Sequence, residues 1–452
     1  MEMSMLWILI GYALVLMLVA LFSLKYNRNF ENFLVAGRQQ PRFLIVASML
    51  ASTIGGGITM GTVSKAYTIG AAAFWFVAAG ALAYLIQGIY LSKPVRDSEA
   101  LTLPDLAGKL GGQPVRKLVA IIIVITWTGI AASQFLAASK ILGTISGMSH
   151  SLAVCIAALF LLIYTLIGGQ KSVLRTDFFQ FGILAAAVLA TVIYLYAAKT
   201  PAPGSVQIEL FSKAFGPLDL IYYLIVVAGS YLVCPMMFGR LLSADSSKNA
   251  RKASFISSAG MLIFAVVVTA IGLWARAVGF DANGSDPFSA ILKNALPKWL
   301  GILMLFGVLA AILSTADTVL LTAAGILEND IIEKKSLFRV RLWIALIAAA
   351  GAIIALFNTD IIDLLLDTYQ GYTSGIVPAL FIAIVSINRR RLNSPLLFAA
   401  ILSGYLLGSA GVFIPDTALQ QLFAFAGLLL STGLALLAYF KGSPAVPLKK
   451  AA

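Results

Sequence analysis

Histidine occurs once and cysteine twice in the 452 residues, and charged residues make up only 11% of the chain. One imidazole, His150, and two thiols expected to be buried within apolar segments, Cys155 and Cys234, are too few for a disulfide framework or a tetrahedral metal site. No G-x-x-x-x-G-K-[ST] loop is present, which excludes nucleotide hydrolysis by the P-loop route. Any energy for pumping must then come from an ion gradient or a partner. Carboxylates inside apolar segments are few and the one histidine lies at a segment end, so the clustered titratable groups of an enzyme pocket are missing. A soluble domain would carry about 25% charged residues, so the shortage of charge also excludes a separate soluble domain.

What the chain has is apolar length: 60% of its residues are hydrophobic and the mean hydropathy is +0.95. Windows of about 20 apolar residues predict spans near 5–24, 43–64, 69–92, 117–139, 150–168, 177–198, 219–242, 253–275, 299–326, 340–357, 362–387, 395–413 and 420–440. This is the pattern of an all-α polytopic membrane protein of about thirteen helices. The first segment is long enough to span and lacks a cleavage-site pattern, so it reads as a retained helix. The net charge of +13 suggests nucleic acid until the segments are threaded alternately through a bilayer. Only Lys65, Lys140, Lys199, Lys213, Arg276, Lys293 and Lys298 then fall on one side, leaving 25 of the 32 basic residues, Arg240 among them, on the other. That asymmetry is the positive-inside signal. It places the N-terminus outside and the C-terminus in the cytoplasm, and makes the bilayer, not nucleic acid, the partner.

Within the second segment stands "TIGGGITMG", residues 53–61. Packing motifs space small residues by three or four positions on one face, whereas Gly55, Gly56 and Gly57 are consecutive and favour unwinding. Unwound backbone at membrane depth is tolerated where it lines an enclosed cavity and binds something. In a transporter built from inverted repeats, a second interrupted span belongs five spans later. There "AGSYLVCPMMFG" carries Gly229, Pro235 and Gly239, and proline both removes a backbone donor and clashes with the preceding turn. Repeats of about 43–198 and 219–387 follow. The ninth segment adds oxygen: in "LAAILSTADTVLL", 309–321, the Ser314 and Thr315 hydroxyls and the Ala311 carbonyl lie about one turn apart. Such neutral oxygens suit a monovalent cation. Asp317, an ionisable side chain deep in a span, is a functional hypothesis by default.

Four stretches carry a family likeness: "YTLIGGQKSVLRTDFFQ" (164–180), "LTLPDLAGKLGG" (101–112), "RLLSADSSKNARKA" (240–253) and "ALPKWLGILMLFGVLAAILSTADTVLL" (295–321). With them the chain resembles the sodium:solute symporter family, the group of proline, pantothenate, sialic acid and sodium/glucose carriers, from about residue 33 to 391. The resemblance implies a LeuT-like core of five plus five inverted helices with one helix before (5–24) and two after (395–413, 420–440), the whole chain being one transporter domain. It implies a main sodium site of the Ala51, Ile54 and Ala311 carbonyls with the Ser314 and Thr315 hydroxyls. Some members hold a second sodium ion, which would fall here on Asp177, Ser314, Asp317 and Thr318. Asp177 could instead cap its helix, and Asp317 could strengthen that ion site or hydrogen-bond in protonated form.

The expected activity is sodium-coupled import of a small polar or anionic solute, an amino acid or organic acid, by alternating access across a plasma membrane of the bacterial inner type, with no obligate protein partner. Residues expected to face the solute are Ser52, Thr53 and Gly56 on the first broken helix, with Trp75 and Gln87 on the next segment. Gln134 on the fourth span, Tyr231 and Met236 on the second broken helix, and Tyr372 and Ser374 on the eleventh segment complete the set. "VCPMMFGR" departs from the proline carriers' Gly-Gln-Pro-His pattern. The alternatives are a sodium/sugar or sialic acid carrier, and a sensor of transporter fold with a separate signalling partner, since "KGSPAVPLKKAA" leaves no room for an output domain.

Overall fold

The computed structural model describes residue 11 and residues 30–167, 170–202, 205–206, 208–209, 211 and 215–444. The expected span at 5–24, apart from Gly11, lies outside the described residues, as do Gly168, Gly169, Lys213, Lys449 and Lys450. Each expected segment after the first falls on a helix or a broken helix. A short α1 (Phe30–Val35) precedes a first broken span, α2 (Arg42–Thr53) and α3 (Gly56–Ile69). A turn at Gly70, held at φ +77° where L side chains are strained, leads to α4 (Phe74–Ile86), a π-turn at Gln87–Leu91 and α5 (Ser92–Asp97). Then come α6 (Leu103–Gly111), α7 (Gln113–Ser146), α8 (His150–Ile167) and α9 (Gln170–Ala198). The second broken span is α10 (Pro217–Leu232) and α11 (Pro235–Ser243), followed by α12 (Ser247–Ala277), α13 (Pro287–Asn294) and α14 (Lys298–Ile326), which runs on as a π-turn to Ile332. The chain closes with α15 (Leu337–Leu356), α16 (Ile361–Val385), α17 (Ser394–Gly411) and α18 (Thr417–Phe440).

Contacts in the first half recur in the second. α9 lies on α2 as α16 lies on α10, and α9 lies on α14 as α16 lies on α7. α4 faces α12, α7 faces α14 and α8 faces α15. The start of one broken span also meets the end of the other, at the bridge of Gln40 with Ala244, so the two run in opposite directions. The basic loops gather at that end, where Arg38 donates to the carbonyls of Glu99 and Ala100, Arg96 to that of Ala244 and Arg116 to the Asp330 carboxylate. At the far end Ser64 meets Asp286, Arg276 meets the Thr68 carbonyl and Lys65 meets Asp363. Arg240 is an exception to the loop assignment. It lies within α11 and is wholly buried.

Large apolar side chains such as Ile125, Leu159, Ile193, Ile263, Ile353 and Leu429 point outward, as expected where the surrounding solvent is hydrocarbon. Cys155 is exposed on this outer surface of α8, contrary to the expectation of burial, whereas Cys234 is buried. Along α16, α17 and α18 the helices approach through glycine. A Cβ at Gly375 would lie 2.5 Å from the Tyr405 nitrogen, and one at Gly404 would lie 2.6 Å from the Ser374 carbonyl oxygen. Ser374 donates to the Ala424 carbonyl (2.9 Å), Ser431 to that of Gly375 (2.8 Å) and Gln370 to that of Gly408 (2.8 Å).

Candidate functional site

The first span breaks where the glycine triplet predicts. α2 ends at Thr53, Ile54 adopts φ −85°, ψ 64°, Gly55 is extended, and α3 starts at Gly56. The triplet acts through close approach as well as by weak helix propensity. A Cβ at Gly55 would lie 2.7 Å from Thr315 Oγ1, at Gly56 2.1 Å from Ile312 Cγ1 and at Gly57 2.8 Å from Ile361 Cγ2. Only bare backbone lets this break sit against both α14 and α16. The break also frees carbonyls: among the described residues, those of Ala51 and Ile54 accept no hydrogen bond. Opposite them, Thr315 Oγ1 donates to the Ala311 carbonyl (2.9 Å) and reaches the Ser52 carbonyl (3.3 Å). The Ser314 and Thr315 hydroxyls of α14 thus lie against Ser52 and Gly55, the neighbours in sequence of Ala51 and Ile54.

Behind that point lies a buried charged cluster. Asp177 is fully buried on α9, seven residues past the first residue of the helix, so it does not cap it. The polar stretch 170–176 extends the helix beyond the apolar run that sequence reveals. Asp177 Oδ1 accepts from Ser314 (2.6 Å); Oδ2 accepts from Ser48 and, at 3.1 Å, from the Arg240 guanidinium. Arg240 also donates to Ser48 (2.8 Å), Ser52, Thr318 (2.9 Å) and the Met236 carbonyl (3.0 Å). The expected second sodium site is thus split. Asp177, Ser314 and Thr318 come together around a guanidinium, while Asp317 makes no hydrogen bond to them, lies beside Thr165 of α8 and has an unpartnered Oδ1. These oxygens do not fit a second sodium ion alongside Arg240.

The second break has the same logic with proline in place of glycine. Val233 (φ −116°, ψ 67°) and Cys234 are non-helical, Pro235 opens α11, and the two halves are bent by 40°. Freed carbonyls at membrane depth need donors. Gln87 supplies one to Leu232 (3.2 Å) and Tyr372 one to Val233. Two residues expected to face solute are therefore bonded to this break, and Tyr372 is also held edge-on by Trp127 at 5.2 Å.

The other expected solute residues divide. Gln134 on α7 is buried with Oε1 unpartnered and 3.1 Å from where a Gly55 Cβ would stand, so it is aimed at the first break. Trp75 is partly buried with Nε1 unpartnered. Tyr231 sits between Tyr84 and Tyr369, with ring centroids 6.4 and 6.2 Å away. Thr53 bonds the Met49 carbonyl (2.7 Å) and the Tyr84 hydroxyl, and Ser52 belongs to the charged cluster. Gly56 packs on Ile312, and Met236 lines a small separate cavity with Gln170 and Leu321. Ser374 faces α18 and not the breaks, because it shares a stripe with Gly371 and Gly375 that packs on the last two helices. Sequence reasoning missed Ser48, Tyr84, Trp127 and Arg240. For Arg240 a signal existed: a lone cation flanked by Met237, Phe238, Leu241 and Leu242.

A family model described as the sodium:solute symporter family matches residues 33–404. The sodium/proline symporter of Salmonella typhimurium is 22% identical, the match covering 92% of this chain and 94% of the relative. The human high affinity choline transporter 1 is 24% identical over 72% of this chain and 61% of its own length. Among solved structures, the substrate-bound outward-open state of a Na+-coupled sialic acid symporter superposes with a TM-score of 0.78 at 16% identity, covering 98% and 99% of the two chains. Mhp1, a nucleobase-cation-symport-1 family transporter, gives 0.59 at 14% identity, covering 91% and 95%. The fold is the LeuT-like inverted repeat expected from the sequence.

Proposed function

The chain belongs to the sodium:solute symporter family, and on that premise we propose that its coupling sodium ion is carried between the α2–α3 break and α14, with the solute bound beside it. The protein is a multi-pass, sodium-coupled symporter of a small solute. The observation that carries the placement is Thr315 Oγ1, 3.3 Å from the Ser52 carbonyl at a break whose neighbouring carbonyls are free. The Ala51, Ile54 and Ala311 carbonyls with the Ser314 and Thr315 hydroxyls form an oxygen shell suited to a hard cation. Ser314 donates a hydrogen bond to Asp177, which leaves the lone pairs of its oxygen for the ion. Sodium is cargo here, bound and released each cycle.

The solute is a small amino acid or organic acid. The first N–H groups of α3, at Gly56 and Gly57, have no intrahelical acceptor, and the positive end of a helix favours a carboxylate. Gln134 Oε1 and Trp75 Nε1 add an acceptor and a donor. Relatives that carry proline support this class, while the absence of the Gly-Gln-Pro-His pattern argues against proline itself. Sodium and solute each raise affinity for the other by linkage. Entry of one sodium ion releases about 2.3 kcal/mol per 100 mV, which drives accumulation as the helices rock between outward- and inward-open states. The gathering of basic loops at the Gln40–Ala244 end supports a cytoplasmic position for that end, an outside N-terminus, a cytoplasmic C-terminus and a bacterial inner membrane. The chain acts as one transport domain with repeats of about 43–198 and 219–387.

The test is uptake of labelled amino acids and carboxylates into vesicles holding the purified protein, with sodium or potassium outside. Sodium-stimulated uptake that weakens in Thr315→Ala is expected. Uptake indifferent to sodium overturns the proposal, and an unchanged sodium dependence in Thr315→Ala overturns the site.

A further inference from the structure

We propose that Arg240 is a built-in cation occupying the place where a second sodium ion would sit, so that this carrier couples a single sodium ion to each transport cycle. The inference rests on the sodium-carrier reading and concerns its stoichiometry. Both Arg240 and Asp177 are completely buried. Taking an ion into such a place requires a counter-charge and a shell of oxygens, and the guanidinium already holds both. Its Nε donates to Ser48 Oγ at 2.8 Å, and its Nη2 to Thr318 Oγ1 at 2.9 Å, to Asp177 Oδ2 at 3.1 Å and to Ser52 Oγ. Nη1 is tied to the Met236 carbonyl at 3.0 Å, which fixes the plane of the group. The Ser48, Ser52 and Thr318 hydroxyls thus each accept from this fixed donor, and Ser314 is turned to Asp177.

Charge balance leads to the same conclusion. The Asp177 carboxylate is neutralised by Arg240, so a sodium ion added here would be a second positive charge with no partner in a low-dielectric interior. The nearest further carboxyl, Asp317, is turned toward Thr165 and makes no hydrogen bond to the cluster. The planar fork of arginine engages four side chains at once, which a single ammonium point charge matches poorly. The same pair also steadies the main site, since Ser52 gives its hydroxyl to this cluster and its carbonyl to Thr315.

The experiment is the coupled flux of radiolabelled sodium and labelled solute into vesicles containing the purified full chain. One sodium ion per solute is expected, with a sodium Hill coefficient of one; a flux ratio of two overturns the inference. In Arg240→Ala the vacated carboxylate and hydroxyls become a site, and both the ratio and the Hill coefficient are expected to rise toward two. A variant that transports at a ratio of one overturns it. Should Arg240→Ala fail to fold, the double variant Asp177→Asn/Arg240→Gln removes both charges together. Retained coupling at a ratio of one supports the inference, and sodium coupling lost while solute binding survives overturns it, because the carboxylate would then serve the coupled ion. Wild-type uptake that ignores sodium overturns both readings, whereas a ratio of two overturns this one alone.

Discussion

Alanine at Gly55 tests the contact on which the proposed sodium site depends. The backbone there, φ −72° and ψ 174°, is open to alanine without strain, so the substitution by itself would stabilise the fold by about 0.4–1 kcal/mol through the unfolded chain. The added methyl, however, arrives 2.7 Å from Thr315 Oγ1, 3.1 Å from Gln134 Oε1 and 3.3 Å from Thr315 Cβ. Thr315 is β-branched on a helix and has little rotamer freedom, so α14 and the break must part or the hydroxyl must swing away from the Ser52 carbonyl. Overpacking of this kind costs about 1–3 kcal/mol. Charged to the sodium-bound state, that raises the sodium concentration for half-maximal uptake by about 5- to 150-fold. The assay is the sodium dependence of solute uptake at fixed membrane potential, with thermal unfolding in detergent as the check on folding. Thr315→Ser keeps the oxygen and removes the β-branch that restricts its rotamers, so the hydroxyl can yield to the new methyl, and Gly55→Ala with Thr315→Ser should lose less than the sum of the single changes. An unchanged sodium dependence in a folded Gly55→Ala protein, with strict additivity in the double variant, would refute the reasoning.

Gln134→Leu removes the free acceptor aimed at the first break, and solute KM should rise about tenfold, the equivalent of about 1.4 kcal/mol, as read from uptake at saturating sodium. Tyr372→Phe leaves the Val233 carbonyl without its donor and should lower stability by about 1–3 kcal/mol, seen as a lower unfolding midpoint in detergent. Arg116→Ala strips the cation from Asp330, whose side chain is 0% exposed, and should destabilise by about 3 kcal/mol, near the low end for broken buried pairs; Asp330→Asn, which retains hydrogen-bonding capacity toward Thr102, should cost less in the same measurement.

The helices were legible because the bilayer demands long apolar runs, and the breaks because only a glycine triplet or a proline at midspan reads as an interruption. For the proposed sodium shell, residue types and a helix repeat suggest Ala311, Ser314 and Thr315, while Ala51 and Ile54 rest on family likeness. Side chains that answer to tertiary contacts were harder to read. Gln87 and Tyr372 looked like solute ligands because polar groups in a span are costly, but the carbonyls of Leu232 and Val233, orphaned by the neighbouring break, claim them. Ser374 looked central until its place in a stripe with Gly371 and Gly375 set it against α18. Arg240 was counted with the loop cations because it lies near the basic end. Its burial follows from the turn at Cys234 and Pro235, which redirects α11 into the protein, and charge counting has no access to that direction.

The glycine contacts joining α16 to α17 and α18 set where this molecule can shear. On that side backbones nearly touch, and separating them would strand the Ser431, Gln370 and Ser374 side chains that donate across the seam. On the other side α16 meets α10 through side chains, Thr373 donating to the Val226 carbonyl, Tyr222 to Gln370, and Tyr372 to the Val233 carbonyl just past α10. The last three helices therefore form a single slab, and the slip plane of least resistance runs along its α10 edge, beside the second break.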